Sequence, residues 1–317
     1  MGEFILQAAT AMCPIVFLVA LGYALSARGW FDAKSEALIA RLVTTIALPC
    51  SIFISLTKNF TSEKLAELLP DTLLPVASMV LAMVVGWIAT RALKIRRGRQ
   101  GVFCTNFFIS NTMFIGLPVN LALFGEESVP AVMLYYVVNT LIFWTLGVNN
   151  IVGDTNRARE SFFSPATFHK ILSPSLLAFF VSIAFVLSGL SLPDGIAAGL
   201  RYTGQLTTPL SLLFIGIEIS HISLRHFRFE KDLAWGLVGR YVVCPLCVLV
   251  LVPFIRVSPM SVKVFTMQAA MPAMTMLTIV SKQYGADSQY AAALSFVTIL
   301  FGMIVIPIYM TIVNVWF

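Results

Sequence analysis

The stretch 107-FFISNTMFIGLPVNLALFGEE-127 has the apolar content of a membrane span, yet Asn111, Thr112, Gly116, Pro118 and Asn120 stand within it. Inside hydrocarbon every main-chain N–H and C=O must be paired, so irregular backbone survives only where protein or a water-filled cavity receives it. The stretch therefore predicts a helix interrupted at a site rather than a lipid-facing rod.

The remainder of the chain agrees with a bilayer setting. Of its 317 residues 58% are hydrophobic and 11% charged, and the mean hydropathy is +0.89, far from a water-soluble domain. A helix needs about 20 apolar residues to cross the hydrocarbon core. The runs Phe4 to Leu25, Leu38 to Leu56, Leu69 to Leu93, Phe103 to Phe124 and Val129 to Ile151 meet that length. So do Ile171 to Leu190, Ile196 to Ile219, Leu233 to Ile255, Val264 to Tyr284 and Tyr290 to Val315. They predict an all-α integral membrane protein of about ten transmembrane helices, not the short alternating strands of a barrel. The N-terminal MGEFILQAAT has no Lys or Arg, so the first run reads as a retained helix rather than a secretory signal.

Orientation follows from 91-RALKIRRGR-99, since Lys and Arg collect on cytoplasmic loops. Threading the spans from that loop leaves Lys58, Lys64, Arg201, Arg256 and Lys263 outside and places both termini on the non-cytoplasmic side of a plasma (inner) membrane. The net charge of +6 then belongs to an inner face beside anionic lipid and calls for no nucleic acid. Cys13, Cys50, Cys104, Cys244 and Cys247 fall in apolar runs and read as small hydrophobes, with no disulfide framework. His169, His221 and His226 fall in connecting loops, so neither a metal nor another cofactor is expected. The chain shows no nucleophile–base or clustered His, Asp and Glu arrangement of an enzyme.

Sliding the sequence against itself by 160 residues pairs Pro14 with Pro174, Gly29 with Gly189, Arg41 with Arg201, Pro49 with Pro209, Gly125 with Gly285 and Ser128 with Ser288. Helix-breaking and charged positions coincide although overall identity is weak. This divides the chain into a first five-helix repeat over 1–152, a cytoplasmic linker over 153–170 and a second repeat over 171–317. With an odd number of spans in each, the repeats are inverted, an architecture of alternating-access carriers.

At the same lag the opening stretch meets 266-TMQAAMPAMTMLTIVSKQYGAD-287, with Pro272 opposite Thr112. Two broken helices meeting near the midplane would present half-helix N-termini, whose unpaired N–H groups favour an anion. A carboxylate is the natural ligand, with Asn111, Thr112 and Gln268 as donors and Ser110, Pro272 and Thr275 beside them. Gly116, Pro118 and Pro272 are the candidate helix breakers, and Pro49 and Pro209 the candidate hinges of the scaffold. Asn139 either lines the cavity or ties helices together. Arg240, in mid-span, either balances a substrate carboxylate or contacts backbone carbonyls and helix ends.

In these residues the chain resembles the auxin efflux carrier family, which includes plant auxin exporters and bacterial carriers of malonate, malate and other organic acids. The stretches 47-ALPCSIF-53, 111-NTMFIGLPVNLALFGEE-127, 239-GRYVVCPL-246 and 269-AAMPAMTMLTIVSKQYGAD-287 look like that family's second, fourth, eighth and ninth helices. The resemblance implies two inverted five-helix repeats with crossing broken helices, bile-acid-transporter-like, arranged as a scaffold and a transport domain, and a homodimer. It also implies that Asn111 contacts the substrate carboxylate. Where the family has a proline before that Asn, this chain has Ser110, which shifts the expected first break toward Gly116 and Pro118. The expected function is secondary active transport of a small mono- or dicarboxylate by elevator-type alternating access. Sodium- or proton-coupled uptake of another anion, a channel and a membrane sensor are the alternatives.

Overall fold

The computed structural model describes residues 2–59, 61, 63, 67–155, 172–221 and 229–316. Most of the expected linker lies outside them, as do Lys64, His169 and His226. The described residues are overwhelmingly helical, and their only bridge of β type is a single pair, Ser110 with Ala273. In chain order the helices are α1 (Gly2–Ala27), α2 (Ala33–Leu42), α3 (Leu48–Asn59), α4 (Leu73–Ala92), α5 (Gln100–Asn106), α6 (Leu117–Phe124), α7 (Val129–Ile142) and α8 (Val148–Val152). After residue 171 follow α9 (Pro174–Leu187), α10 (Asp194–Gln205), α11 (Thr207–His221), α12 (Lys231–Val238), α13 (Cys244–Leu251), α14 (Pro259–Ala269), α15 (Met276–Tyr284) and α16 (Ser288–Trp316).

Short π-turns over Val43–Ala47, Phe143–Gly147 and Gly239–Val243 join α2 to α3, α7 to α8 and α12 to α13 into continuous rods. Among the described residues, Ala33–Lys58, Leu69–Ala92, Glu126–Val152, Lys231–Leu251 and Ser288–Val313 are long and apolar enough to cross a membrane. Shorter apolar helices lie at Cys13–Ala27, Thr112–Phe124 and Pro174–Leu187. Two of the expected spans, Phe103 to Phe124 and Val264 to Tyr284, are interrupted by several consecutive non-helical residues, and Ile196 to Ile219 is broken at Leu206.

Local chemistry sets the helix ends. Asp32, Ser173 and Ser258 accept main-chain N–H groups three residues on, from Ser35, Leu176 and Ser261, relieving donors that a first turn leaves open. Gly29 and Gly125 adopt φ of 79° and 69°, and their partners 160 residues later, Gly189 and Gly285, adopt 67° and 82°. At these four positions the chain leaves a helix through a conformation that a side chain disfavours.

The chain forms two compact units that interleave in sequence: Met1–Pro70, Met113–Met133 and Leu172–Leu224 in one, Asp71–Thr112, Leu134–Ile171 and Arg225–Phe317 in the other. In the first, α1 packs on α11 and α3 packs on α9 and α10. Small residues bring the backbones together: a Cβ on Gly22 would strike the Leu213 carbonyl, and one on Gly216 would strike the Val19 carbonyl. His221 stands in the last turn of α11 rather than in a loop, its ring bonded to Ser26 and Glu36. Pro209 occupies the first turn of α11 in this unit, where a proline forfeits no helical hydrogen bond, whereas Pro49 follows the π-turn inside the continuous rod Ala33–Lys58.

In the second unit α4 packs on α5 and α13, α13 on α14, α14 and α15 on α16, and α5 on α8. Arg99 ties its loops: Nε donates to Asp287 at 2.8 Å, Nη1 donates to Glu230, and Asp232 lies 3.7 Å away. Asp71 is buried and accepts the Ser258 N–H at 3.3 Å.

Candidate functional site

The first interruption begins where α5 ends at Asn106. The chain leaves helical geometry through Ile109, Ser110 and Asn111, then resumes as a π-turn over Thr112–Gly116 that runs into α6. The break thus lies ahead of Gly116 and Pro118 and not at them. Gly116 has helical φ and ψ of −63° and −46°. Pro118, two residues past the π-turn, lies within the helical stretch Thr112–Phe124, where it withholds one donor without ending the helix. The second interruption runs from Ala270 to Thr275, between α14 and α15, with Pro272 inside it.

The two interruptions cross and pair. Ser110 and Ala273 form the antiparallel bridge, and the Asn111 N–H donates to the Pro272 carbonyl at 2.9 Å. Proline supplies an acceptor while having no N–H to satisfy. Polar side chains complete the pairing. Asn139 Oδ1 accepts the Ser110 N–H at 3.1 Å and its Nδ2 donates to the Ser110 carbonyl at 3.3 Å. The Thr298 hydroxyl accepts the Ala273 N–H at 3.1 Å. Protein groups, more than water, receive the broken backbone: Ser110, Asn139 and Gln268 are wholly buried, and Asn111 and Thr112 are 3% exposed.

Arg240 lies at the C-terminal ends of α5 and α14, the half-helices that lead into the two interruptions. Wholly buried, its Nη1 donates to the Asn106 carbonyl at 2.8 Å and to the Ile109 carbonyl, while Nη2 donates to the Ala269 carbonyl at 2.8 Å. These are carbonyls that the C-terminal turns of α5 and α14 leave open, and a cation there opposes the partial negative charge of both helix ends. The guanidinium nitrogens at its tip are engaged with main chain, and Nε has no partner among the described residues. A cavity of about 10 Å³ beside it is bounded by Ser78, Phe107, Tyr135 and Cys244 among others.

The side chains nominated from sequence converge on the other face of the crossing. Asn111 Nδ2 donates to the Thr275 hydroxyl at 3.4 Å, joining the two N-terminal ends, and Gln268 Nε2 donates to the Thr112 carbonyl at 3.4 Å. Gln268 Oε1 has no partner among the described residues. Thr275 is half-buried and precedes α15 as its cap residue. Thr112 and Met276 thus begin helical segments beside the Asn111 amide and the Thr275 hydroxyl, at helix ends whose partial charge is positive.

Three contributors were not nominated from the sequence. Thr298 supports the second break, Asn106 donates from Nδ2 to the Gly236 carbonyl at 2.9 Å, and the Cys244 thiol donates to the Phe107 carbonyl. For Thr298 a signal existed: it stands one residue from the position 160 beyond Asn139. Asn106 and Cys244 carry no such mark.

Residues 7–310 match the family described as membrane transport protein. The chain is 26% identical over 308 residues to an uncharacterized transporter of Methanocaldococcus jannaschii, covering 93% of this chain and 95% of that protein. It is 25% identical over 304 residues to an uncharacterized transporter of Methanothermobacter thermautotrophicus, with coverage of 93% and 95%. A match over nearly the whole chain, joined to a multi-pass apolar fold and the motifs that cross at Ser110 and Ala273, makes this protein a member of the membrane transport protein family, the auxin efflux carriers.

Proposed function

We propose that the protein is a secondary active transporter of small organic anions, mono- or dicarboxylates, working by elevator-type alternating access. The observation that carries this reading is the pairing of Ser110 with Ala273, which brings the starts of two helical segments together beside Asn111 and Thr275. The residues of the two breaks include no carboxylate, so the partial positive charge of those helix starts is available to a substrate anion. Asn111 and Thr275 donate to the carboxylate, and Gln268 and Thr112 shape the pocket around it.

The inverted repeat supports the mechanism. Its halves are residues 1–152 and 171–317, and their helix-ending glycines share positive φ at the same interval. Within the first unit, α1 packs on α11 while α9 packs on α3, the reciprocal exchange expected of two related halves. Two such halves give outward and inward states of similar free energy, between which a site changes sides. The unit that holds the crossing is the moving part; Pro49 and Pro209 shape the other. The transporter works as a homodimer in the inner membrane with both termini outside the cytoplasm, and proton or sodium gradients set its direction.

Purified protein in liposomes tests the reading. Saturable flux of a labelled mono- or dicarboxylate is expected, falling at least tenfold in Asn111→Ala while the unfolding temperature stays near that of the parent. Absence of carboxylate flux, or large unitary currents in a planar bilayer, overturns it.

A further inference from the structure

The second unit holds another cavity, of about 160 Å³, between α4, α5 and the residues that follow α8. Its wall includes Trp87, Arg91, Gln100, Cys104, Asn150 and Asp154. Two opposite charges face it without meeting: none of the ion pairs among the described residues includes Arg91 or Asp154. The Arg91 guanidinium lies 3.4 Å over the Trp87 ring, a geometry that holds a cation in place while leaving its N–H edge free. Asp154 Oδ2 accepts the Gly101 N–H at 2.6 Å. Burial pushes its carboxyl up and the Gly101 amide pulls the other way.

What lies outside the cavity indicates the ligand. Leu73, Val76, Val80, Val84, Trp87 and Ile88 are exposed at intervals of three and four along one face of α4, a stripe suited to acyl chains. It ends at Trp87 and Arg91, the aromatic and basic pair typical of the depth where headgroups begin. The cavity opens beside that pair, with a cation near the stripe and a carboxylate further on.

We propose that this cavity binds the headgroup of an aminophospholipid, the phosphate ester against Arg91 and the primary amine against Asp154, with the acyl chains along the outer stripe of α4. The chemistry recognised is a phosphate ester carrying a primary ammonium, one group for each of the two opposite charges that line the cavity. A fully methylated amine cannot donate to Asp154, and a glycerol headgroup brings no cation to it. The site requires only that α4 face the bilayer, so it stands apart from the transport reading.

The test is thermal unfolding of the full-length protein in detergent micelles doped with dioleoyl phosphatidylethanolamine, phosphatidylcholine or phosphatidylglycerol, or given soluble phosphoethanolamine, with native mass spectrometry to count bound lipid. Phosphatidylethanolamine is expected to raise the unfolding temperature most and to remain bound, because a ligand of the folded state stabilises it by mass action. Arg91→Gln, at an exposed position, should weaken that lipid about tenfold or more, the loss expected of a charge-assisted hydrogen bond, without changing the lipid-free unfolding temperature. Asp154→Asn should abolish the preference over phosphatidylcholine. Equal shifts with all three lipids, an undiminished preference in Arg91→Gln, or the full effect from soluble phosphoethanolamine would each overturn the assignment. None of these readouts involves flux, so their failure leaves the carboxylate experiment untouched.

Discussion

Asn139 holds Ser110 by both of its main-chain groups, accepting the N–H at 3.1 Å and donating to the carbonyl at 3.3 Å. One side-chain amide thereby takes the place of a neighbouring strand. Both groups are wholly buried, and each orphaned buried partner costs about 1–3 kcal/mol. Asn139→Leu, close in volume but without polar atoms, should therefore lose roughly twice that amount. A fall in thermal unfolding temperature in detergent, together with loss of transport, is the expected outcome, and Asn139→Asp should recover little because its carboxylate faces the Ser110 carbonyl.

Arg240 closes the C-terminal ends of α5 and α14 together. Hydrogen bonds to a charged group contribute about 1.5–3 kcal/mol each, so Arg240→Gln should lower stability more than any other single change at the crossing. Arg240→Lys keeps the charge and loses the planar fork that reaches several carbonyls at once. It should recover part of the stability only, as read from unfolding temperature and the yield of monodisperse protein.

Gly216 and Gly22 let α1 and α11 meet backbone to backbone. Adding a methyl group there forces the helices apart, and overpacking of this kind costs about 1–3 kcal/mol. Gly216→Ala should lower the unfolding temperature measurably. Gly199→Ala, where a Cβ meets nothing within 4 Å, should leave it unchanged or raise it slightly.

Acid should loosen the second unit through Asp287. Burial pushes its carboxyl up, but the Tyr290 N–H at 2.9 Å and the Arg99 guanidinium outweigh that and hold it below the ordinary 3.8. A folded-state value below the unfolded one means the unfolded chain binds more protons in that window. The stabilisation is therefore complete above the ordinary value and lost as pH falls through the folded one. Unfolding temperature measured downward from about pH 5 should drop, and Asp287→Asn should flatten the drop while lowering stability at neutral pH.

Much of this was legible in one dimension because the bilayer imposes a length and a polarity that a sequence must spell out. The apolar runs around Leu69–Ala92 and Ser288–Val313 announce themselves, and Asn111 beside Thr112 is conspicuous because polar groups are expensive there. Pro272 marks the second break for the same reason. Pro118 lies inside the helical stretch Thr112–Phe124 and not at the break, since a membrane helix tolerates a proline where neighbouring groups and local π adjustments re-satisfy its backbone.

By itself the sequence determined that the chain is a multi-pass helical membrane protein with two interrupted spans, because hydrophobic length and helix-breaking residues act within single segments. Only the tertiary structure decided how the interruptions are satisfied: Asn139 on Ser110, Thr298 on Ala273 and Arg240 on the open ends of α5 and α14. Those partners lie up to 134 residues apart in the chain. A buried carbonyl needs a donor within hydrogen-bond reach, and which donor reaches it depends on helix packing that no local pattern encodes.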